Sequence, residues 1–288
     1  MKWRGRRQSG NIIDRRGSGG GGRGGMAIGG GGIGVLAIVA IGWLLGVDLT
    51  PLLNGQGGQV SQSGVQRELT EAEREMGEFV SVVLADTEEV WTKVFAEQTN
   101  GQYRPTQVVL YSGGDSSACG YANSAVGPFY CPADQRIYLD TSFFAQMEQQ
   151  LGAGGDFAFA YVVAHEVGHH VENLLGILQW SQAARQGVSE ARSNEVSVRV
   201  ELMADCLSGI FAKHMQSKGY LDRGDIGEAM NAAEKIGDDT LQRNAGRRPM
   251  PDSFTHGSSA QRQRWFDRGY QSGMIADCDT RDLPSRQL

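Results

Sequence analysis

The residues best suited to chemistry lie in one heptapeptide, AHEVGHH at 164–170, which gathers three of the chain's five histidines around one glutamate. Residues 165–169 form the pattern HExxH. On a helix His165 and His169 stand one turn apart on one face, so both imidazoles reach the same cation. Glu166 is turned about 100° from His165, near enough to hold a water beside the metal without being an obvious ligand. A catalytic zinc has three protein ligands and one open position, so a third ligand is needed. The segment RVELMADCLSG at 199–209 supplies candidates: Glu201 and Asp205 lie four residues apart among Leu202, Met203, Ala204 and Leu207. A carboxylate facing a core needs a cation, and Glu201 completes a His₂Glu set. Asp205, one turn on, is placed to accept the remaining N–H of a ligand histidine and fix its tautomer. Glu190 and Glu195 compete for the third position but sit in the polar stretch SEARSNE. The blander alternatives are hydrogen-bonded core histidines and a solvated carboxylate face paired to Arg199 or Lys213.

A zinc ion held by His165, His169 and Glu201 lowers the pKa of water towards about 7, and Glu166 is then the expected general base. The developing oxyanion needs a further donor. His256, in SFTHGSS, is the candidate ahead of Tyr161 and Tyr138; its alternative role is to help cap the helix that follows. His170 and His214 fall off the ligand face. Glu172 and Asn173 read more simply as a polar helix face than as supports for the ligands.

Helices must position most of these groups. FAFAYVVAHEVGHHVENLLG is an apolar helix covering roughly 156–176, and further helical patterns cover 141–151, 189–218 and 224–243. Two capping boxes mark helix starts, TEAE at 70–73 and SSAQ at 258–261. The first opens a helix to about Gln98 with Phe79, Val83, Val90 and Val94 as its apolar stripe. QVVLYS at 107–112 is a strand, followed by a glycine-rich loop, and PFYCPADQRIYLD at 128–140 holds two short strand-like pieces. A few strands before a run of helices predicts an α+β fold.

Charge divides the chain of 288 residues unevenly. Before residue 24 there are seven basic residues and one acid, about +6; the remainder has 20 basic and 32 acidic residues, about −12. A basic head on an acidic body argues against a nucleic-acid-binding body, which would need a cationic face. Residues 1–25 are Arg/Gly-rich and are expected to be disordered. Gly24–Val47 carries no charge, and 26–47 is long enough to cross a bilayer core of about 30 Å as a helix, with GGGG at 29–32 its weakest part. The absence of a small-x-small cleavage site favours an uncleaved anchor over a signal peptide. The positive-inside rule keeps the basic head cytoplasmic and sends the body across the membrane, to an extracytoplasmic compartment. Residues 48–66 read as a linker and 67–288 as the catalytic domain. In that compartment Cys119, Cys131, Cys206 and Cys278 are expected to form two disulfides, Cys119–Cys131 and Cys206–Cys278.

Together, MKWRGRRQS, DRRG, YCPADQRIYLD, AHEVGHHVE, ELMADCLSGI and PDSFTHGSSAQR resemble the neutral zinc metallopeptidase family of YpfJ-like bacterial proteins, over nearly the whole chain. HExxH followed on a later helix by Glu201 and Asp205 is similar to the gluzincin branch of zinc peptidases. The resemblance implies a zincin-like catalytic domain, a single N-terminal span and a peptide or protein substrate. By analogy with zincins, the strand RIYLD at 136–140 would be the edge that takes up an extended substrate. The competing reading is a zincin-fold scaffold that keeps the metal without efficient turnover; an intact Glu166 favours the enzyme.

Overall fold

The computed structural model describes residues 1–17, 67–123 and 126–288. Helix α1, Glu71–Gln98, starts where Thr70 and Glu73 exchange capping bonds, and it buries Phe79, Val83, Val90 and Val94. A four-stranded sheet combines β1 (Ile12–Asp14), β2 (Gln107–Tyr111), β5 (Phe129–Cys131) and β6 (Arg136–Asp140) in the order β1-β2-β6-β5. The first three strands run parallel, and β5 is antiparallel to β6. Residues 112–120, expected as loop, instead contribute to a hairpin of β3 (Gly114–Ser117) and β4 (Gly120–Asn123).

The pleat sends alternate side chains to two cores. Val108, Leu110, Ile137 and Leu139 join the main core with the helices. Val109, Tyr111 and Tyr138 pack under the hairpin with Ala122 and Cys131. The Cys119–Cys131 disulfide pins the hairpin to β5, with Cα atoms 5.7 Å apart.

The remaining helices are α2 (Ser142–Leu151), α3 (Asp156–Leu174), α4 (Ile177–Ala184), α5 (Glu190–Ser217), α6 (Asp225–Lys235), α7 (Asp238–Asn244) and α8 (Ser259–Ser272). The single helix expected over 224–243 is broken between α6 and α7 at Gly237, whose Cα lies so near Ser259 that no side chain would fit. Helix α3 is buried on most sides, packing on α1, α5, α6 and β5. Cys206–Cys278 joins α5 to the turn after α8, closing a 72-residue separation. The fold is mostly helical with a small sheet, the α+β class expected.

Two further expectations fail. RIYLD is β6, hydrogen-bonded to β2 on one side and β5 on the other, so it has no free edge; the edge at that end is β5. The head, expected to be disordered over 1–25, is folded through residue 17. Ile12–Asp14 pairs with Val108–Leu110, Trp3 is 7% exposed and stacks edge-on against Phe79, and the Met1 amino group sits against Asp156 and Asp225 at the starts of α3 and α6. Composition misleads here because the acidic partners of these arginines lie far along the chain. The expected span 26–47 and linker 48–66 fall outside the described residues, among which no helix is long and apolar enough to cross a membrane.

Candidate metal centre

Helix α3 carries HExxH through the core, and α5 crosses it where Gly168 meets Ala204. A side-chain carbon on Gly168 would lie 3.1 Å from the Ala204 carbonyl oxygen, so glycine lets the two helices approach closely. That crossing brings Glu201 to the histidines. Its Oε2 is 3.2 Å from His165 Nε2 and its Oε1 is 3.7 Å from His169 Nε2. These values bracket the roughly 3.4 Å expected between two ligands on a tetrahedral zinc at about 2.1 Å. One ligand atom from each of the three residues fits within a 4.8 Å span. Two imidazole nitrogens and a carboxylate oxygen are a donor set zinc takes, so these residues fit a zinc ion.

Each histidine is held from behind. His165 Nδ1 lies 2.9 Å from Asp205 Oδ1, and His169 Nδ1 lies 2.7 Å from Glu172 Oε2, both acids being fully buried. A carboxylate on Nδ1 fixes that nitrogen as the donor and turns Nε2 towards Glu201. Asp205 is in turn saturated: Arg262 donates Nε to Oδ2 at 2.8 Å and an Nη2 to Oδ1 at 2.9 Å, and the Tyr161 hydroxyl donates to Oδ1 at 2.5 Å. Glu195, the rival ligand, is taken up by Arg192, Arg199 and Ser285 instead. His170 bonds the Tyr130 hydroxyl and the Arg104 carbonyl, away from the site.

Burial opposes charge on every group here, and its balance against the partners decides each outcome. Burial disfavours the His165 imidazolium, but Asp205 and Glu201 outweigh it and raise the pKa to about 10. Burial would raise Glu201 too, yet His256, His169 and His165 hold it well below the carboxylate range. Glu172, where burial outweighs His169, is raised to about 7. Burial likewise raises Glu166, despite both histidines and a bond from the Tyr130 backbone on β5. Its Oε2 is buried and has no hydrogen-bond partner, an oxygen aimed at something other than protein.

His256 reaches the site from the turn before α8. Asp238 accepts the backbone N–H groups of Thr255, His256 and Gly257 at 2.8, 2.7 and 3.0 Å, and its Oδ1 is 3.3 Å from His256 Nδ1. Gly257, at φ +94°, presses this turn on α5, where an added carbon would lie 3.2 Å from Leu202. Burial opposes protonation of His256, but Glu201 and then Asp238 raise its pKa. Tyr161 and Tyr138 are engaged elsewhere, with Asp205 and Asp134.

Sequence reasoning passed over Arg262 and Asp238, and it ranked the supporting role of Glu172 below a polar helix face. Arg262 could have been found: it lies on the apolar face of α8 with Trp265, Phe266 and Gly269, and all four are buried. A charge on such a face requires a partner. That pairing also alters the expected behaviour of Asp205. Asp205→Asn should weaken zinc affinity by about 10 to 100-fold, and it should also cost about 3–5 kcal/mol by stranding the Arg262 charge. Adding Arg262→Gln should recover much of the stability but not the affinity. Chelator competition and melting curves on the two variants measure these effects separately.

The chain is 47% identical to the "uncharacterized protein YpfJ" of Escherichia coli strain K12 over 285 residues, covering 97% of this chain and 98% of that protein. It is 44% identical over 202 residues to uncharacterized proteins of Mycobacterium tuberculosis strain H37Rv and Mycobacterium bovis, covering 66% of each chain. No solved structure matches it. Residues 1–281 match the model of one family, described as "putative neutral zinc metallopeptidase", and the chain belongs to that family.

Proposed function

We propose that the chain is a zinc-dependent peptidase that hydrolyses peptide bonds with His165, His169 and Glu201 as ligands and Glu166 as general base. The observation that carries this reading is the unpartnered, buried Oε2 of Glu166 beside a His₂Glu cluster. A scaffold would have no use for it, because a buried carboxylate oxygen without a partner is a standing cost. When bound, zinc would supply the Lewis acidity that activates water and polarises a scissile carbonyl.

The protein's own groups do the rest. Glu166 Oε2 takes the proton of the attacking water and returns it to the leaving amine; its raised pKa brings it closer to that of a usable acid–base group. His256, whose protonated form Glu201 and Asp238 favour, donates an N–H to the oxyanion. Its Nδ1 is turned to Asp238, which leaves Nε2 for the substrate. Arg185, just after α4, has a buried Nε without a hydrogen-bond partner, and Glu201 and Glu172 are the charges that act on it. We assign it to a substrate carbonyl or carboxylate. An extended peptide would add to β5, the strand at one edge of the sheet among the described residues, whose Tyr130 backbone bonds Glu166. The HExxH helix below a small sheet, with the third ligand on a later helix, supports a zincin-like domain of gluzincin type.

The test is a peptide-library hydrolysis assay on the full chain, because a fragment starting after the linker would lack β1 and Trp3. Activity lost to a chelator and restored by about one equivalent of zinc is the expected result. A metal-loaded protein that cleaves no peptide bond in the library would leave only the scaffold reading.

A further inference from the structure

The basic head and the acidic body are made for each other. Of the head's described basic residues, Lys2 pairs with Asp222, Arg4 with Glu75, Arg6 with Asp86, Arg7 with Glu88 and Arg15 with Asp115. Arg16 is buried, pairs with Asp14 within the head and donates to the Glu73 carbonyl of α1. The Arg6–Asp86 pair is itself largely buried, at 15% and 6% side-chain exposure. Backbone bonds add to this: Ser9 N–H donates to the Ser81 carbonyl at 3.0 Å, the Ser81 hydroxyl returns a bond to the Ser9 carbonyl, and Val108 N–H donates to the Asn11 carbonyl at 2.9 Å. Strand β1 covers what would otherwise be the open edge of the buried strand β2.

This packing fixes where the chain leaves and re-enters the domain. A side-chain carbon on Gly17 would lie 3.1 Å from the Arg67 carbonyl oxygen, so the two ends of the 49-residue segment 18–66 emerge side by side. The closure entropy of such a loop grows only slowly with its length, so a long insertion at this point is tolerated. A single helical crossing at 26–47 would instead put residues 1–17 and 67–288 on opposite faces of a bilayer, which their shared core does not allow. Crossing and returning as helices needs roughly 40 apolar residues, about 20 for each pass. The charge-free run Gly24–Val47 holds only 24.

We propose that residues 1–17 and 67–288 occupy the same side of the membrane, and that any membrane contact of residues 18–66 enters and leaves on that one face. The arginines that suggested a cytoplasmic head then serve as internal counter-charges rather than as a topology signal. This inference stands apart from the peptidase reading, since it uses none of the metal-site residues.

Single-cysteine labelling tests it on the full chain in spheroplasts. All four native cysteines are in disulfides, so an added thiol is the one free to react. Arg4→Cys and Gly10→Cys place it on the exposed head, where Gly10 has open space around it, and Met250→Cys places it on the exposed body. With a membrane-impermeant maleimide, all three positions should behave alike. Labelling of all three before lysis would put the domain in the oxidising compartment that its disulfides suit, and labelling of all three only after lysis would put it in the cytoplasm; either supports the proposal. Head thiols protected until lysis, while the Met250→Cys variant labels in intact spheroplasts, would overturn it. A second measurement addresses docking: Trp3→Ala should lower the melting temperature of the full chain by about 10 °C. An unchanged melting temperature would mean that the head is not docked, and the proposal would fall.

Discussion

Glu201→Ala should leave a folded protein that no longer binds zinc, with affinity reduced well beyond the roughly 100-fold that follows loss of a supporting residue. The reason is geometric. Glu201 is the group that both Nε2 atoms face, at 3.2 and 3.7 Å. Of the other buried carboxylates nearby, only Glu166, assigned to the attacking water, and Glu172 have a buried oxygen without a partner. Asp205 is committed to Arg262, Tyr161 and His165 Nδ1, and Glu172 stands behind His169. Glu195 lies on the same helix but is tied to Arg192 and Arg199. Two histidines alone do not make the three-ligand site of a zinc hydrolase. Isothermal titration and chelator competition read the affinity directly. Stoichiometric zinc retained by the variant would remove Glu201 as a ligand and return Glu195 to consideration.

What could be read from the sequence depended on how far apart the interacting residues lie. HExxH, the two capping boxes and the apolar stripe of α1 are local patterns, set within one or two helical turns, and each appears where expected. Glu201 and Asp205 were legible for another reason: carboxylates among Leu202, Met203 and Leu207 must be answered by something buried. The same logic would have exposed Arg262 and Glu172. Asp238 offered no such sign, because its role is to gather three backbone N–H groups from Thr255, His256 and Gly257, in a turn beyond the end of its own helix. The edge position of β5 was also hidden, since it depends on which strand lies between which. The head was misread for the most physical of reasons. A cluster of lysine and arginine residues in a glycine-rich stretch looks solvated until its partners, scattered from Glu75 to Asp222, are brought together by the fold.

Glu166→Gln should separate metal binding from chemistry. The amide has nearly the shape of the carboxylate, so the cage of His165, His169 and Glu201 should keep zinc affinity within a few-fold of the parent. Hydrolysis should fall by about 10² to 10⁴-fold, the contribution of a positioned general base. Stability should respond in the opposite direction. Burial raises the Glu166 pKa above that of an exposed glutamate, so ionising this side chain carries a cost in the folded state that an amide avoids. The metal-free variant should therefore melt no lower than the metal-free parent. These three measurements belong together: zinc affinity, hydrolysis rate and apo-protein melting temperature. Zinc affinity lost along with activity would make Glu166 part of the cage. Activity surviving intact would move the proton to another group, with His256 the titratable side chain that the fold already orients, through Asp238, towards the site.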